Sequence, residues 1–364
     1  MMSSGKRNDN IDFIRAVAIL LVILGHNIQY GSGVDYLNSG ACLDNPLFKF
    51  IYTFHMPLFA FLSGMVLNYS ISRSTKSLIR SKFTSLLLPV ISWSTLEYAV
   101  WLFQNGVPDS GITFLRKYAH RLLTSLWFFW AIFYCSIAVI LIEKYVRRKK
   151  LIYFFLFVVL MFIPNQWNAN YYIFLFPYYA AGYYLLKNKE AFSVSSRQKR
   201  VLFLGNVALF WILFAFFDRS TYIYTTGTFL LDDRHPVLQL CINMQRWITG
   251  FSAIAMIYPL LRGIFERTSR FKAAKILLLI GRNTSGFYIA NNYYAHLLPF
   301  LPIALRPNFV YWMIELVIDL GISALAIRII SFSPVLSMLL LGKKWLIHKQ
   351  KIMNYKGENE HEKF

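Results

Sequence analysis

Apolar runs of helix length recur along the chain, separated by short polar loops. Such runs read as membrane helices, because in lipid a helix satisfies its own backbone hydrogen bonds. The pattern predicts ten spans: residues 11–30, 47–69, 84–104, 122–142, 151–163, 171–186, 200–217, 238–261, 276–299 and 309–332. The expected fold is an all-α polytopic integral membrane protein. Residues 1–10 would be a cytoplasmic segment, 11–332 one transmembrane domain, and 333–364 a basic cytoplasmic tail that begins as an interfacial helix. The first span follows ten mostly polar residues and has no small-residue cleavage site after it, which predicts a retained helix rather than a signal peptide.

Composition agrees with this reading. The chain is 57% hydrophobic and only 15% charged, and its mean hydropathy is +0.45. A soluble domain carries about a quarter charged residues. In a soluble protein the net charge of +21 would suggest nucleic acid, but its distribution decides otherwise. With the N-terminus inside, the inner segments and boundary residue Arg200 hold 27 of the 38 Lys and Arg, and the outer loops hold six. That bias follows the positive-inside rule and puts both termini in the cytoplasm, with the chain in the cell membrane as a multi-pass protein. The surplus also suits anionic lipid or a phosphorylated cytoplasmic ligand. Cys42, Cys135 and Cys241 lie far apart in sequence and suggest neither a disulfide framework nor a metal site.

Polar residues inside apolar spans carry the functional signal. An ionisable group at the bilayer centre costs roughly 2.5–3.5 kcal/mol on insertion scales, so its presence asks for a reason. In the first span Asp12, Arg15 and His26 fall on one stripe. Eleven residues, about three helical turns or roughly 16 Å, separate Arg15 from His26. Asp12, one turn before Arg15, is placed to pair with it. Arg15 near the helix start also fits snorkelling to the headgroups, and a lone histidine also fits a hydrogen-bonded packing role.

In the second span Pro57 follows His55-Met56, and the proline should bend the helix and free carbonyls beside the histidine. The inner loop after it carries Arg73, Lys76, Arg80 and Lys82, counter-charges for the phosphates of a ligand such as coenzyme A. Glu97 lies in the third span without an evident partner. An amphipathic piece, TFLRKYAHRLL, should lie at the outer interface. Tyr222 and Tyr224, with Asp232 and Asp233, form a loop able to contact a sugar, although a solvated loop is the ordinary reading. Arg246 is a second intramembrane cation. The ninth span is unusually polar, with Asn283, Thr284, Ser285, Asn291, Asn292 and His296, and belongs in the bundle interior. Glu315 and Asp319 share a face of the tenth, placed to share a proton or to pair with Arg282 or Arg328. Ser63-Gly64 and Ala180-Ala181-Gly182 suit close helix packing.

These motifs resemble the membrane acyltransferase-3 family. The run DFIRAVAILLVILGH, residues 12–26, is similar to its first helix, where an arginine and a histidine with ten residues between them are the signature. FIYTFHMPLFAFLSG, residues 50–64, is similar to its second helix, in the form found in fucose 4-O-acetylase-like members. LWFFWAIF and IGRNTSGFYIANN resemble later motifs. The resemblance implies about ten membrane helices and transfer of an acyl group, usually acetyl from acetyl-CoA, to hydroxyls of surface glycans. It assigns site roles to Arg15, His26 and His55. The family's arginine pair after the second span is matched only by Arg80 and Lys82. Asn291 stands where many relatives have histidine, so no catalytic role carries over there.

The expected reaction uses His26 as general base, with His55 as its partner or as polariser of the thioester carbonyl. Arg15, Arg80, Lys82 and Arg73 would hold the donor. Acetyl-CoA is expected as a substrate, with no resident cofactor or metal and no nucleic-acid partner. The expected acceptor is a surface glycan or its lipid-linked precursor. No GxSxG elbow argues for a serine acyl-enzyme. The rival reading is a transporter or flippase for a lipid-linked glycan, which predicts an internal symmetry the sequence does not display.

Overall fold

The computed structural model describes residues 8–108, 110–188, 195–231, 234–301 and 306–343. Among these residues the regular structure is helical throughout. Six helices are long and apolar enough to cross a membrane: α1 (Asp9–Tyr30), α2 (Pro46–Asn68), α3 (Thr75–Asn105), α5 (Trp127–Tyr145), α8 (Ser196–Ala215) and α9 (Pro236–Thr268). Between and after them lie α4 (Gly111–Thr124), α6 (Lys149–Leu160), α7 (Ala169–Lys187), α10 (Lys272–Arg282), α11 (Thr284–Ala295), α12 (Phe309–Ser331) and α13 (Pro334–Leu341).

Helix α1 runs through the middle of the bundle and packs against α2, α9, α10, α11 and α12. Its polar stripe therefore faces protein, as the cost of intramembrane charge demands. Arg282 at the end of α10 pairs with Asp9 at 3.0 Å and Asp12 at 3.6 Å. That contact corrects the expectation that Arg282 serves the carboxylates of α12.

Helices α2 and α7 cross closely. A Cβ built on Gly64 would lie 2.0 Å from the Tyr179 carbonyl oxygen, and one on Gly182 would lie 1.9 Å from that of Phe61. Only glycine permits this approach, so the small-residue signals at Ser63-Gly64 and Ala181-Gly182 do mark a packing seam.

Three local departures from the expected elements have physical causes. The ninth span divides at Asn283, whose side chain takes the Leu279 carbonyl at 2.8 Å that a continuing helix would use. Helix α3 starts at Thr75, earlier than expected, and contains a π turn over Phe83–Leu87. Pro89 has no N–H for the Ser85 carbonyl four residues back, and Gly342, at the end of α13, packs onto that carbonyl instead. Trp93 also donates to the Leu340 carbonyl at 3.0 Å. Residues 334–341, assigned by sequence to the tail, are thus an apolar helix docked on α3, while 344–364 lie outside the described residues. Finally, α2 continues as a helix through Pro57 rather than breaking there.

Candidate functional site

One part of the bundle holds a cavity of ≈ 1360 Å³. Helix α1 contributes His26, and α2 contributes His55. Both imidazoles reach one chamber, which the sequence could not establish.

His26 Nδ1 lies 2.6 Å from Asn291 Oδ1 on α11. Asn291 Nδ2 donates at 2.6 Å to Asp319 Oδ2 on α12, and Ser323 Oγ donates to Asp319 Oδ1 at 2.8 Å. A carboxylate accepts only, so it aims the Asn291 N–H₂ at itself and the amide oxygen at His26. In the neutral ring the proton then sits on Nδ1 and Nε2 keeps its lone pair, the form a general base needs. Asn291 and Asp319 are fully buried. Asn291 had been set aside because it departs from the family's histidine. Asp319 thus pairs with the Asn291 amide rather than sharing a proton with Glu315 or meeting Arg282 or Arg328. Glu315 instead accepts from the Tyr294 hydroxyl at 2.5 Å.

His55 is buried, and its Nδ1 lies 2.8 Å from the Ile51 carbonyl of its own helix. That carbonyl fixes the same tautomer, with Nε2 bare. A neutral His55 can therefore accept a hydrogen bond at Nε2, and it can polarise a carbonyl only as the imidazolium.

The second cavity, of ≈ 190 Å³, brings Arg15 of α1 and Lys82 of α3 together with Ser85, Thr284 and Ser285. Ser63 lines it too, and two cations with four serine and threonine residues suit a phosphorylated ligand. Val22, Met56 and Tyr288 line both cavities and form the wall or neck between them. Arg80 and Arg73 do not line either space. Both are exposed, and Arg73 donates to Ser77 Oγ at 2.6 Å.

Several other sequence candidates resolve into structural parts. Glu97 accepts from Tyr293 at 2.5 Å and from Ser125 at 3.3 Å, and it pairs with Arg121 at 3.8 Å. Arg246 is buried and donates to the Thr221 and Gly227 carbonyls at 2.8 and 2.6 Å, and to Thr226 Oγ1 at 2.7 Å. It staples the loop between α8 and α9, which carries Ile223 and Tyr224 into the large cavity. That loop is also tied to the loop between α1 and α2, by Tyr222 donating to the Leu43 carbonyl at 3.0 Å and by the Arg219–Asp44 pair. Arg219 holds the Asp44 carboxyl below its ordinary range, and the Ser220 hydroxyl does the same for Asp218. Asp232 and Asp233 lie outside the described residues. Trp127 lines the cavity, whereas Trp130 is buried and donates to the Leu122 carbonyl at 3.0 Å.

Backbone strain concentrates here. Among the described residues, the non-glycine positions with left-handed backbone are Leu126, Trp167 and Asn168, with φ of 45°, 48° and 66°. All three line the large cavity. Strained positions of this kind collect where a site's shape matters more than local comfort. No group of three His, Cys, Asp or Glu among the described residues is placed to hold a metal ion.

Comparison with known proteins decides the class. The model of the family described as acyltransferase domain matches residues 8–342, nearly the whole chain. The chain belongs to that acyltransferase family. It is 26% identical over 264 residues to nodulation protein NolL of Sinorhizobium fredii, covering 70% of this chain and 69% of the relative. It is 27% identical over 304 residues to nodulation protein NolL of Mesorhizobium japonicum, covering 79% and 76%. No solved structure matches. In this chain the large cavity holds the imidazoles and the smaller one the cations, with a shared wall between.

Proposed function

We propose that this acyltransferase moves an acetyl group from acetyl-CoA to a hydroxyl of a cell-surface glycan or its lipid-linked precursor, in the cell membrane. On this reading the chain crosses the membrane ten times, with both termini and the flanking segments 1–10 and 333–364 in the cytoplasm. The positive-inside distribution supports that topology. It places Arg15 and Lys82 on the cytoplasmic side and His26 towards the outer side.

Acetyl-CoA then enters from the cytoplasm. Arg15 and Lys82 hold its phosphates, and Arg80 and Arg73 add positive potential at the entrance. The thioester reaches the neck at Val22, Met56 and Tyr288. The acceptor enters the large cavity from outside. His26 Nε2 takes the hydroxyl proton as that oxygen attacks the thioester carbonyl, forming a C–O bond and a tetrahedral oxyanion. Collapse breaks the C–S bond, and the departing thiolate takes the proton back from His26, so acetyl ester and free coenzyme A result. His55, when protonated, donates to the oxyanion.

The observation that carries this reading is the adjacency of the two cavities. A cationic inner space and a histidine-lined outer space share three residues, so a donor and an acceptor from opposite sides meet at His26. The test is acetyl transfer in membranes containing wild-type protein or a His26→Ala variant at equal abundance. With radiolabelled acetyl-CoA, label should enter the glycan fraction only with the wild type. Equal transfer by both proteins would discard the mechanism. Glycan movement without any acetyl transfer would favour the transporter reading.

A further inference from the structure

The outer cavity carries a feature that acetyl transfer to a neutral sugar does not call for. Helix α4 lines it with Arg116, Lys117, His120, Arg121 and Thr124. Ala119 and Leu123 line it as well, so a broad side of α4 from Arg116 to Thr124 borders the cavity. Ile112 and Leu115, highly exposed at 80% and 64%, do not line the cavity. The helix is held in place through its contact with α3. Tyr98 donates to the Phe114 carbonyl at 2.9 Å, and the Thr95 and Tyr118 hydroxyls lie 2.9 Å apart.

The charges of this chamber do not balance. Three cations of α4 face it, and among the described residues that line it the carboxylate is Glu97. Glu97 is already engaged by Tyr293, Ser125 and Arg121. Lys117 sits 4.4 Å from the centre of the Trp101 ring, a contact that leaves its ammonium hydrogens available. On the topology proposed above, α4 holds three of the six Lys and Arg of the outer loops, against the general bias for cations inside. Arg116 and Lys117 are exposed, so they stand at the open mouth of the cavity, where a surplus of one sign still attracts ligands of the other.

We propose that the acceptor is anionic and that its oxyanion seats on Arg116 and Lys117 of α4 while its reacting hydroxyl reaches His26. The oxyanion is a carboxylate on the sugar or the phosphate of a lipid carrier. The proposal rests on the acetyl-transfer reading for its biological meaning, but its test does not.

Full-length protein is placed in nanodiscs of phosphatidylcholine, and binding is measured without acetyl-CoA. Trigalacturonate and galactotriose differ mainly by a carboxylate in place of a hydroxymethyl group, and inorganic pyrophosphate stands for the carrier. Trigalacturonate or pyrophosphate should bind at least about tenfold tighter than galactotriose, with a steep salt dependence. The R116Q/K117Q double variant should lose about tenfold of that preference, the scale of two partly solvated ion pairs. Ile112→Ala, at an exposed position of α4 that does not line the cavity, should keep it. Equal binding of charged and neutral probes, binding of neither anion, or a preference that survives in R116Q/K117Q would overturn the proposal. So would a loss confined to nanodiscs containing phosphatidylglycerol, which would make α4 a headgroup anchor. Selective anion binding without acetyl transfer to any probe would sink the transfer reading and leave this subsite standing. Transfer without charge preference would do the reverse.

Discussion

Asn291 Oδ1 lies 2.6 Å from His26 Nδ1, and the amide that holds it there is itself held by Asp319 at 2.6 Å. The relationship makes a short relay, from carboxylate to amide to imidazole, in which the carboxylate never touches the base. Its effect is on the tautomer and the ring orientation.

Asn291→Leu and Asp319→Asn should each lower kcat for acetyl transfer. The first removes the partner of Nδ1. The second can offer its own N–H₂ to Asn291, turning the amide so that it donates to the ring and strips Nε2 of its lone pair. The expected loss is about 10²-fold or more, the contribution of a well-placed general base. KM for acetyl-CoA should stay close to wild type, because neither residue lines the inner cavity. A loss in KM alone would place the relay in binding rather than in proton transfer.

On the donor side, Arg15→Gln and Lys82→Gln should raise KM for acetyl-CoA by about tenfold each, as expected for one charge-assisted phosphate contact. Arg80→Gln and Arg73→Gln should act weakly, and more at low salt, since both side chains are exposed. Steady-state kinetics at two ionic strengths separates the two classes. If Arg80→Gln matched Lys82→Gln at high salt, the inner cavity would not be the phosphate site.

How far these features were legible in the sequence varies with their cause. The membrane helices follow from runs of apolar residues, and the α2–α7 seam follows from glycine in such runs. His26 and His55 stand out because a polar ring in an apolar helix is costly, although the sequence alone also fits a packing role for each. The relay was not legible, since Asn291 and Asp319 meet only through the packing of α11 on α12. Arg246 looked like a site residue by the same rule that found His26. Its partners are backbone carbonyls of a loop twenty or so residues earlier, and sequence spacing gives no sign of them. The break at Asn283 was foreshadowed by Asn-Thr-Ser-Gly, residues that compete for backbone hydrogen bonds.

Arg246→Ala should destabilise the protein without touching the chemistry directly. It would leave the Thr221 and Gly227 carbonyls and the Thr226 hydroxyl without their buried donor. At about 1–3 kcal/mol for each orphaned buried group, partly relieved by water, the loss should amount to several kcal/mol. The measurement is thermal unfolding in detergent alongside limited proteolysis of the 218–231 loop. Unchanged unfolding together with lost activity would return Arg246 to the list of site residues.

The glycine seam gives a sharper stability test. Gly64→Ala would place a methyl group against the Tyr179 carbonyl, where even the ideal Cβ lies at 2.0 Å. The obstacle is backbone, so the helices must separate. Overpacking of this kind costs typically about 1–3 kcal/mol. Gly205→Ala, where an added Cβ meets nothing, is the control and should be neutral or slightly stabilising. Similar unfolding temperatures for the two variants would mean that α2 and α7 are not packed as closely as this arrangement requires.

The neck offers the most direct test of two substrates meeting from opposite sides. Val22, Met56 and Tyr288 are shared by both cavities, and Tyr288 is braced by its contact with the Phe128 N–H at 3.4 Å. Val22→Trp adds bulk at the neck while leaving Arg15, Lys82, His26 and the relay in place. Donor binding to the phosphate site should survive, measured as coenzyme A affinity, while acetyl transfer falls by about 10²-fold, the scale on which about 1 Å of misplacement acts. Val22→Ala widens the same passage and should raise the relative rate with a longer acyl donor such as succinyl-CoA. If Val22→Trp transferred acetyl at the wild-type rate, the thioester would have to reach His26 by another route, and the shared wall would be packing alone.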